Sequence, residues 1–253
     1  AAKPAQFSHA VRQYDQPDVS VVIPCGPGHE KYLVDALDSL EAQTYRTWEV
    51  IVVYDGKGHD QATTAYLRDA FPFVRWVEEQ RVKSGAGAAR NYGARMARAS
   101  LLLFLDADDW LRPEAIERMI AAWNETGEIV YSDYIGHAHI ENGVEVEKLR
   151  MAGRLKAYDE KSRIAQVIHY ATEFDCAKAI QQPQMVNGQF YIWNLITSLV
   201  PKMWHEEIGG VDEQMESWED WDYWLRMAHS GKWFAWIRGP LVEYRFETGT
   251  RRE

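Results

Sequence analysis

The stretch Leu101-Leu102-Leu103-Phe104-Leu105-Asp106-Ala107-Asp108-Asp109-Trp110 decides the fold class of this chain. Its first five residues are purely apolar, which is typical of a parallel strand buried on both faces. Three carboxylates follow where that strand must emerge, and open α/β sheets bind their ligands at this edge. Clustered carboxylates repel one another unless a cation neutralises them, and Mg2+ and Mn2+ prefer oxygen ligands. The stretch favours a metal-assisted phosphate site, with a polar loop leading into a helix near Arg112-Pro113-Glu114 as the plainer alternative.

Apolar runs and helical periodicities alternate on both sides of that stretch. Strands are predicted at 19–23, 48–53, 73–77, 101–105 and 129–134, and helices at 30–43, 61–71, 86–99 and 113–123. Alternation of this kind predicts an α/β fold with a mostly parallel sheet flanked by helices. After Gly136 the pattern weakens, and an extended run at 192–200, a helix at 218–230 and strands at 233–237 and 241–246 follow. We predict one compact domain with an N-terminal extension at 1–17, a nucleotide-binding half at 18–136 and an acceptor-binding half at 137–253.

Composition argues against several classes of protein. The chain has 253 residues, of which 46% are apolar and 26% charged, as is usual for a globular domain. No apolar run is long enough to cross a membrane, so no transmembrane segment is expected. The net charge of −10 makes nucleic acid an improbable partner. Two cysteines do not form a disulfide framework and no signal peptide is visible, so a cytoplasmic location is expected.

Two glycine-rich turns open predicted helices. Cys25-Gly26-Pro27-Gly28, followed by Asp55 at the end of the second strand, imitates a dinucleotide-binding turn, although Lys31 replaces its third glycine. Asp55 is expected to bind a base or ribose, or to be a plain turn residue. The second turn, Gly85-Ala86-Gly87-Ala88-Ala89-Arg90, leaves backbone N–H groups bare at a helix N-terminus and suits a phosphate, with close helix packing as the alternative.

Acids also open a later predicted helix. Glu219, Asp220 and Asp222 follow Trp218 directly. The helix dipole stabilises carboxylates in a first turn, which is a sufficient structural explanation for them. A carboxylate near aromatic rings also suits a general base, and spacing alone does not choose among the three.

Taken in order, these segments resemble the inverting family 2 glycosyltransferases of GT-A fold. The matching pieces are residues 19–24, 37–45, 48–56, 87–93, 105–109, 208–213, 219–222 and 244–245. The resemblance runs from about residue 18 to residue 247, which is nearly the whole chain. Each motif alone is weak evidence, whereas their shared order is strong evidence.

The resemblance implies a metal-dependent transfer of a sugar from a nucleotide-sugar donor, expected to be a UDP-sugar, to an acceptor hydroxyl of a saccharide, a lipid-linked sugar or another compound. It implies that Asp220 is the general base and that Asp108 holds the divalent cation, Mn2+ or Mg2+, on the diphosphate. It implies that Arg90 and the metal stabilise the leaving group. The residues implied in binding the nucleotide and donor are Pro24, Asp55, Arg81, Arg90, Asp106, Ala107 and Glu219.

Three positions depart from the family pattern. Tyr54 stands where an aspartate is common, Lys83 where an asparagine is common, and Glu247 near where many members have a histidine. Glu247 is kept as a second metal ligand because a carboxylate also suits the cation. Two alternative functions stay open: a non-catalytic carbohydrate-binding module of the same fold, and a sugar nucleotidyltransferase. The second would have a basic, glycine-rich loop after the first strand, which residues 25–30 lack.

Overall fold

The computed structural model describes residues 16–56, 58–79, 85–140, 143–169, 197–215 and 217–246. Its strands are β1 (Val19–Cys25), β2 (Trp48–Asp55), β3 (Val74–Glu79), β4 (Leu101–Phe104), β5 (Trp110–Leu111), β6 (Ile129–His139), β7 (Leu155–Asp159), β8 (Ile164–His169), β9 (Leu199–Pro201) and β10 (Phe234–Arg245). Its helices are α1 (Leu33–Glu41), α2 (Gln61–Ala70), α3 (Gly85–Met96), α4 (Ala115–Thr126), α5 (Gly143–Met151), α6 (Lys202–Glu207) and α7 (Glu219–His229), and a 3-10 turn at Glu30–Tyr32 precedes α1. Most of the predicted extension at 1–17 lies outside the described residues, and no described helix is long and apolar enough to cross a membrane.

One sheet contains all of these strands. Its order is β3-β2-β1-β4-β9-β6-β10-β5, with β8 paired to β6 and β7 paired to β8. The first four strands are parallel neighbours, so their carboxyl ends meet at one edge, as the sequence predicts. The α/β fold class is therefore confirmed, and strands from both predicted halves share the sheet.

The second part of the sheet is mixed rather than parallel. β9 lies antiparallel between β4 and β6, whereas β10 runs parallel to β6 and antiparallel to β5. The two strands predicted at 233–237 and 241–246 are one strand, β10, whose register shifts between Ile237 and Val242 around Gly239-Pro240. Such an irregularity is where glycine and proline are tolerated in a strand. The helix α5 and the hairpin of β7 and β8 fill part of a region in which the sequence showed no clear pattern, and residues 170–196 lie outside the described ranges.

The core around the parallel strands has two layers because strand side chains alternate between the two faces of the sheet. Val21 and Ile23 of β1 belong to the layer under α1, and Val22 belongs to the layer under α3. Gly93 of α3 permits a close approach, since a Cβ there would lie 2.3 Å from Val22 Cγ1 and 3.1 Å from Val53 Cγ2. The small-residue pattern of α3 therefore serves close packing of the helix on the sheet.

A buried polar network joins β1 and β2 near their amino ends. The carboxylate of Glu49 accepts hydrogen bonds from the Ser20 hydroxyl (2.7 Å), the Arg98 Nε (2.8 Å) and the Arg98 backbone N–H (2.7 Å). Burial raises the pKa of Glu49, but these hydrogen bonds outweigh burial, and the net pKa lies below its ordinary value. The charged form of Glu49 is therefore the form that the fold stabilises.

Candidate active site

The acidic loop, residues 106–109, lies at the carboxyl edge of the parallel strands. Leu105, which precedes it, donates its N–H to the Val22 carbonyl at 3.0 Å, so pairing with β1 continues up to the loop. A tight turn follows, in which the Asp109 N–H donates to the Asp106 carbonyl at 3.1 Å. Asp106 and Asp108 are half-buried, whereas Ala107 and Asp109 are buried. The sequence prediction that three carboxylates emerge together at this edge is confirmed.

Asp109 is the innermost of the three acids. Its Oδ1 accepts the Arg245 backbone N–H at 3.0 Å, while its buried Oδ2 has no hydrogen-bond partner among the described residues. Burial raises the pKa of Asp109 well above its ordinary value, and the neighbouring carboxylates of Asp106 and Asp108 raise it further. Asp109 therefore fixes the loop to the end of β10, while Asp106 and Asp108 are the acids that reach the surface.

The Arg245 side chain clamps the acidic loop from outside. Its Nε donates to the Asp108 carbonyl at 3.2 Å, and its Nη2 bonds the Asp35 carboxylate of α1 at 2.6 Å. The guanidinium lies 5.0 Å from the ring centre of Trp110 and 5.1 Å from that of Tyr32, both within range of a cation–π contact. Arg245 therefore ties the backbone at Asp108 to β5 and α1 at the same time.

Arg90 of α3 joins the acidic loop to α7. Its Nη2 bonds Asp106 Oδ1 at 2.7 Å, and its Nη1 bonds Glu219 Oε1 at 3.2 Å. Burial lowers the pKa of Arg90, but the carboxylates of Asp106 and Glu219 raise it by more, so the guanidinium stays charged. The sequence predicts that Arg90 contacts a phosphate. In the structure its terminal nitrogens contact Asp106 and Glu219, two carboxylates that the family resemblance implies in donor binding.

Asn91 and Gly87 of α3 hold the segment that precedes α7. The Asn91 amide donates to the Val211 carbonyl and accepts from the Val211 N–H, both at 2.8 Å. A Cβ at Gly87 would lie 2.9 Å from Val211 Cγ1, so a larger residue would push this segment away. Sequence reasoning gave Asn91 no role, because its partner Val211 lies 120 residues further along the chain.

The structure distinguishes the three acids that open α7. Glu219 bonds Arg90, and Asp222 accepts from Arg226 Nε at 2.7 Å one helical turn away. Asp220 accepts the backbone N–H of Trp221 at 2.8 Å, and burial raises its pKa above the ordinary value. A raised pKa makes a carboxylate a stronger base. Glu219 and Asp222 therefore bond arginine side chains, whereas the Asp220 carboxylate bonds backbone.

The predicted nucleoside-binding residues lie at the ends of β1 and β2. Pro24 pairs in register with Val53, and Asp55 ends β2, where its carboxylate accepts the Gly85 N–H at 3.0 Å. Asp55 is thereby joined to the first residue of α3. Tyr54 is buried and stacks on Trp76 with ring centres 5.7 Å apart. The predicted residues Arg81 and Glu247, and Lys83, lie outside the described residues.

The glycine turn after β1 is held by backbone and side-chain contacts. Gly28 has a φ of +88°, which favours glycine, and the His29 N–H donates to the Gly26 carbonyl at 3.1 Å. Glu30 is buried, and its Oε1 lies 2.7 Å from His59 Nδ1 and accepts the Asp60 N–H at 3.0 Å. These contacts favour the interpretation of the glycines as turn residues.

The oxygen atoms of the acidic loop are hard ligands, which suits a divalent cation. Within the described ranges, no three His, Cys, Asp or Glu side chains converge as a complete metal cage. Asp106 bonds Arg90 through Oδ1 at 2.7 Å, and Asp108 is the other half-buried carboxylate of the loop. Mg2+ is commonly held by one or two carboxylates together with substrate phosphates, and the loop fits a site of that kind.

Comparison with known proteins identifies the family of the chain. A family model described as Glycosyl transferase family 2 matches residues 20–188. The chain belongs to glycosyl transferase family 2. Over 212 residues it is 26% identical to an uncharacterized glycosyltransferase of Rickettsia bellii, covering 83% of this chain and 27% of that protein. Over 237 residues it is 23% identical to an uncharacterized glycosyltransferase of Methanocaldococcus jannaschii, covering 93% of this chain and 73% of that protein.

Solved structures show the same fold. The family 2 chain superimposes on TarS of S. aureus in complex with UDP-GlcNAc with a TM-score of 0.63 and 18% identity, covering 92% of this chain and 59% of the TarS chain. TarS has also been crystallised with UDP. The predicted GT-A fold is therefore confirmed. The chain spans less than a third of the Rickettsia bellii relative, and the fold match covers about three fifths of the TarS chain.

Proposed function

We propose that this family 2 domain transfers a sugar from a UDP-sugar to an acceptor hydroxyl with inversion at the anomeric carbon. One observation carries the proposal: Arg90 bonds Asp106 of the acidic loop and Glu219 beside Asp220 at once. This bridge holds Asp106, the carboxylate proposed to bind the donor, beside the start of α7, the helix that carries the proposed base. The preference for a UDP-sugar is supported by the TarS complexes with UDP and UDP-GlcNAc.

In the proposed reaction Asp220 takes the proton of the acceptor hydroxyl. The freed oxygen forms a bond to the anomeric carbon, and the bond from that carbon to the diphosphate oxygen breaks, so that UDP leaves with the electron pair. Attack from the face opposite the leaving group inverts the configuration. Burial raises the pKa of Asp220, which supports its assignment as base.

The acidic loop would hold the leaving group in place. Asp108 would bind a divalent cation on the diphosphate, and such a cation supplies Lewis-acid stabilisation of the developing charge. Arg245 fixes the Asp108 backbone, and Arg90 orients Asp106 and Glu219. Asp55 and Pro24 are proposed to border the nucleoside. Glu247 stays a proposed second ligand of the cation.

Calorimetric titration of UDP, GDP, CMP and NAD, with Mn2+ and again with EDTA, tests the proposal. We expect UDP to bind in Mn2+ and to bind much more weakly in EDTA. Asp108→Asn should weaken the Mn2+-dependent binding by about 10-fold or more. Asp69→Asn is the matched control, because Asp69 is an exposed acid on α2 and is not part of the acidic loop.

Each outcome of the titration has a distinct meaning. UDP binding that EDTA leaves unchanged would contradict the metal site, and binding of GDP or CMP instead would change the donor class. Binding of NAD without metal would contradict the nucleotide-sugar assignment. A protein that binds none of the four would instead be a carbohydrate-binding module of this fold.

A further inference from the structure

A pocket of about 310 Å³ lies between α2 and the carboxyl ends of β2 and β3. Its walls are Tyr54 of β2, Glu78 of β3, His59 in the loop after β2, and one side of α2. Small-molecule sites in proteins begin at about 300 Å³, whereas a single water needs only about 10–15 Å³. The pocket is therefore large enough for an organic ligand.

The side of α2 that lines this pocket is polar or small. Gln61, Thr64, Ala65 and Arg68 recur at the i, i+3, i+4 and i+7 spacing of one helix face. A helix that packs on a sheet ordinarily presents apolar residues at this spacing. Because these side chains do not fill the interface, a space remains between the helix and the sheet.

Three buried polar atoms at the pocket lack partners. Tyr54 is 2% exposed, Thr64 is 9% exposed, and the His59 side chain is 7% exposed. The two hydroxyls and the Nε2 of His59 make no hydrogen bond to any described residue. An unpaired buried polar atom costs free energy, so most such atoms in folded proteins are paired. Three of them around one pocket indicate a bound molecule that supplies the partners.

The neighbours of these atoms set their hydrogen-bonding roles. Glu30 Oε1 accepts the Asp60 N–H at 3.0 Å and lies 2.7 Å from His59 Nδ1, so Nδ1 is the donor of that pair. In a neutral imidazole with its proton on Nδ1, Nε2 is an acceptor. Burial raises the pKa of Tyr54 to about 12, and the Thr64 hydroxyl lowers it only in part, so the phenol keeps its proton and can donate. The pocket therefore offers one acceptor and two hydroxyls.

The charges at the pocket compensate each other. Arg68 Nη2 and Glu78 Oε1 form an ion pair of 2.9 Å, and the two side chains are 43% and 67% exposed. An anion in the pocket would lie beside Glu78, and a cation would lie beside Arg68. An uncharged ligand avoids both repulsions.

We propose that this pocket binds a small uncharged compound with several hydroxyl groups. One hydroxyl of the ligand would donate to His59 Nε2, and others would accept from the hydroxyls of Tyr54 and Thr64, since a hydroxyl group both donates and accepts. The phenol comes from Tyr54, the position where an aspartate is common in the family pattern.

The pocket and the proposed nucleoside site lie on opposite faces of β2. Neighbouring residues of a strand point to opposite faces, and Tyr54 belongs to the core layer under α1. The Asp55 carboxylate instead accepts the N–H of Gly85, the first residue of α3. A ligand in the pocket would therefore be neither the sugar donor nor a participant in the proposed reaction.

The test measures the binding of glycerol, D-sorbitol and myo-inositol by saturation-transfer NMR titration. Tyr54→Phe and Thr64→Val each remove one hydroxyl and nearly keep the shape of the side chain. Tyr66→Phe is the matched control, because Tyr66 is an exposed residue of α2 outside the pocket. We expect at least one polyol to bind, and Tyr54→Phe and Thr64→Val each to weaken its affinity about 3–10-fold. Tyr66→Phe should leave the affinity unchanged, and saturating UDP with Mn2+ should not displace the polyol.

Thermal unfolding without any polyol gives a second readout. Because the two hydroxyls have no partners among the described residues, Tyr54→Phe and Thr64→Val should not lower Tm. A fall of about 2–4 °C in either variant, the loss expected for one hydrogen bond, would show that its hydroxyl is bonded within the protein and would overturn the inference.

Four binding results would overturn it as well. No polyol signal from the unchanged protein would mean that ordered water alone fills the pocket. Equal affinities in Tyr54→Phe, Thr64→Val and the unchanged protein would place the polyol elsewhere. Displacement of the polyol by UDP would assign it to the nucleotide site. Inorganic phosphate that binds more tightly than the polyols, and loses affinity in the same variants, would contradict an uncharged ligand.

Discussion

Replacing Arg90 by glutamine removes the cation that joins the acidic loop to α7. The Arg90 side chain is 10% exposed, and its partners Asp106 and Glu219 are 24% and 20% exposed. Glutamine is too short to reach both carboxylates and carries no charge. Two carboxylates would then face each other, with Asp220 nearby, and without the guanidinium that now separates them.

The magnitude follows from the burial of the three groups. Removing one member of a buried ion pair costs about 3–5 kcal/mol, since the remaining charge stays uncompensated. Because Asp106 and Glu219 keep part of their hydration, we expect the lower end, about 3 kcal/mol. For a domain of this size, each kcal/mol lowers Tm by about 2–4 °C, so Arg90→Gln should lower Tm by roughly 6–12 °C.

Urea unfolding and thermal scans at neutral pH measure this loss. Arg95→Gln is the matched control on the same helix, because its side chain is 55% exposed and its Nη1 lies 4.0 Å from Glu213. That exposed pair should contribute less than about 1 kcal/mol. If Arg90→Gln loses no more stability than Arg95→Gln, the bridge between the acidic loop and α7 does not hold the site together.

Three further predictions follow from other contacts. Arg245→Gln should weaken Mn2+-dependent UDP binding in calorimetry by about 10-fold, because the Asp108 backbone loses its clamp, whereas Arg238→Gln on the same strand should not. Glu49→Gln should destabilise the protein at pH 7. The difference in urea stability between the variant and the unchanged protein should shrink as pH falls below the ordinary Glu pKa of 4.5, because a carboxylate whose pKa is lowered by folding adds stability only above that range. A difference that stays constant with pH would contradict this. Gly93→Ala should lower the free energy of unfolding in urea by about 1–3 kcal/mol, because the new Cβ clashes with Val22. Gly143→Ala, with open space around its Cβ, should leave the stability unchanged. Equal stabilities of the two variants would contradict the close packing at Gly93.

Much of the fold was predictable because its first half depends on local patterns. β1, β2 and β4 are buried on both faces, so their apolar runs identify them without knowledge of their neighbours. The carboxyl-edge position of Asp106 and Asp108 follows from the parallel topology. The hairpin of β7 and β8 was missed because β7 is short and largely exposed, so it shows no buried apolar run.

The contacts that assemble the site were not predictable in the same way. Arg90 was placed against a phosphate because a helix N-terminus and a guanidinium both favour anions, and the sequence does not show that two carboxylates reach it first. The roles of Asn91 and Arg245 depend on partners more than a hundred residues away in the chain, Val211 in one case and Asp108 in the other. Side-chain pairings over such distances are set by packing, which periodicity does not encode.

The release of UDP from a UDP-sugar by Asp220→Asn tests the central claim most directly. The assay would be run with Mn2+ on the sugar and acceptor that the unchanged protein uses, with Asp222→Asn as the control from the same helical turn. Loss of the general base should lower kcat by about 10²–10⁴-fold while UDP binding in calorimetry stays unchanged. A kcat equal to that of the unchanged protein would contradict the assignment of Asp220 as the base.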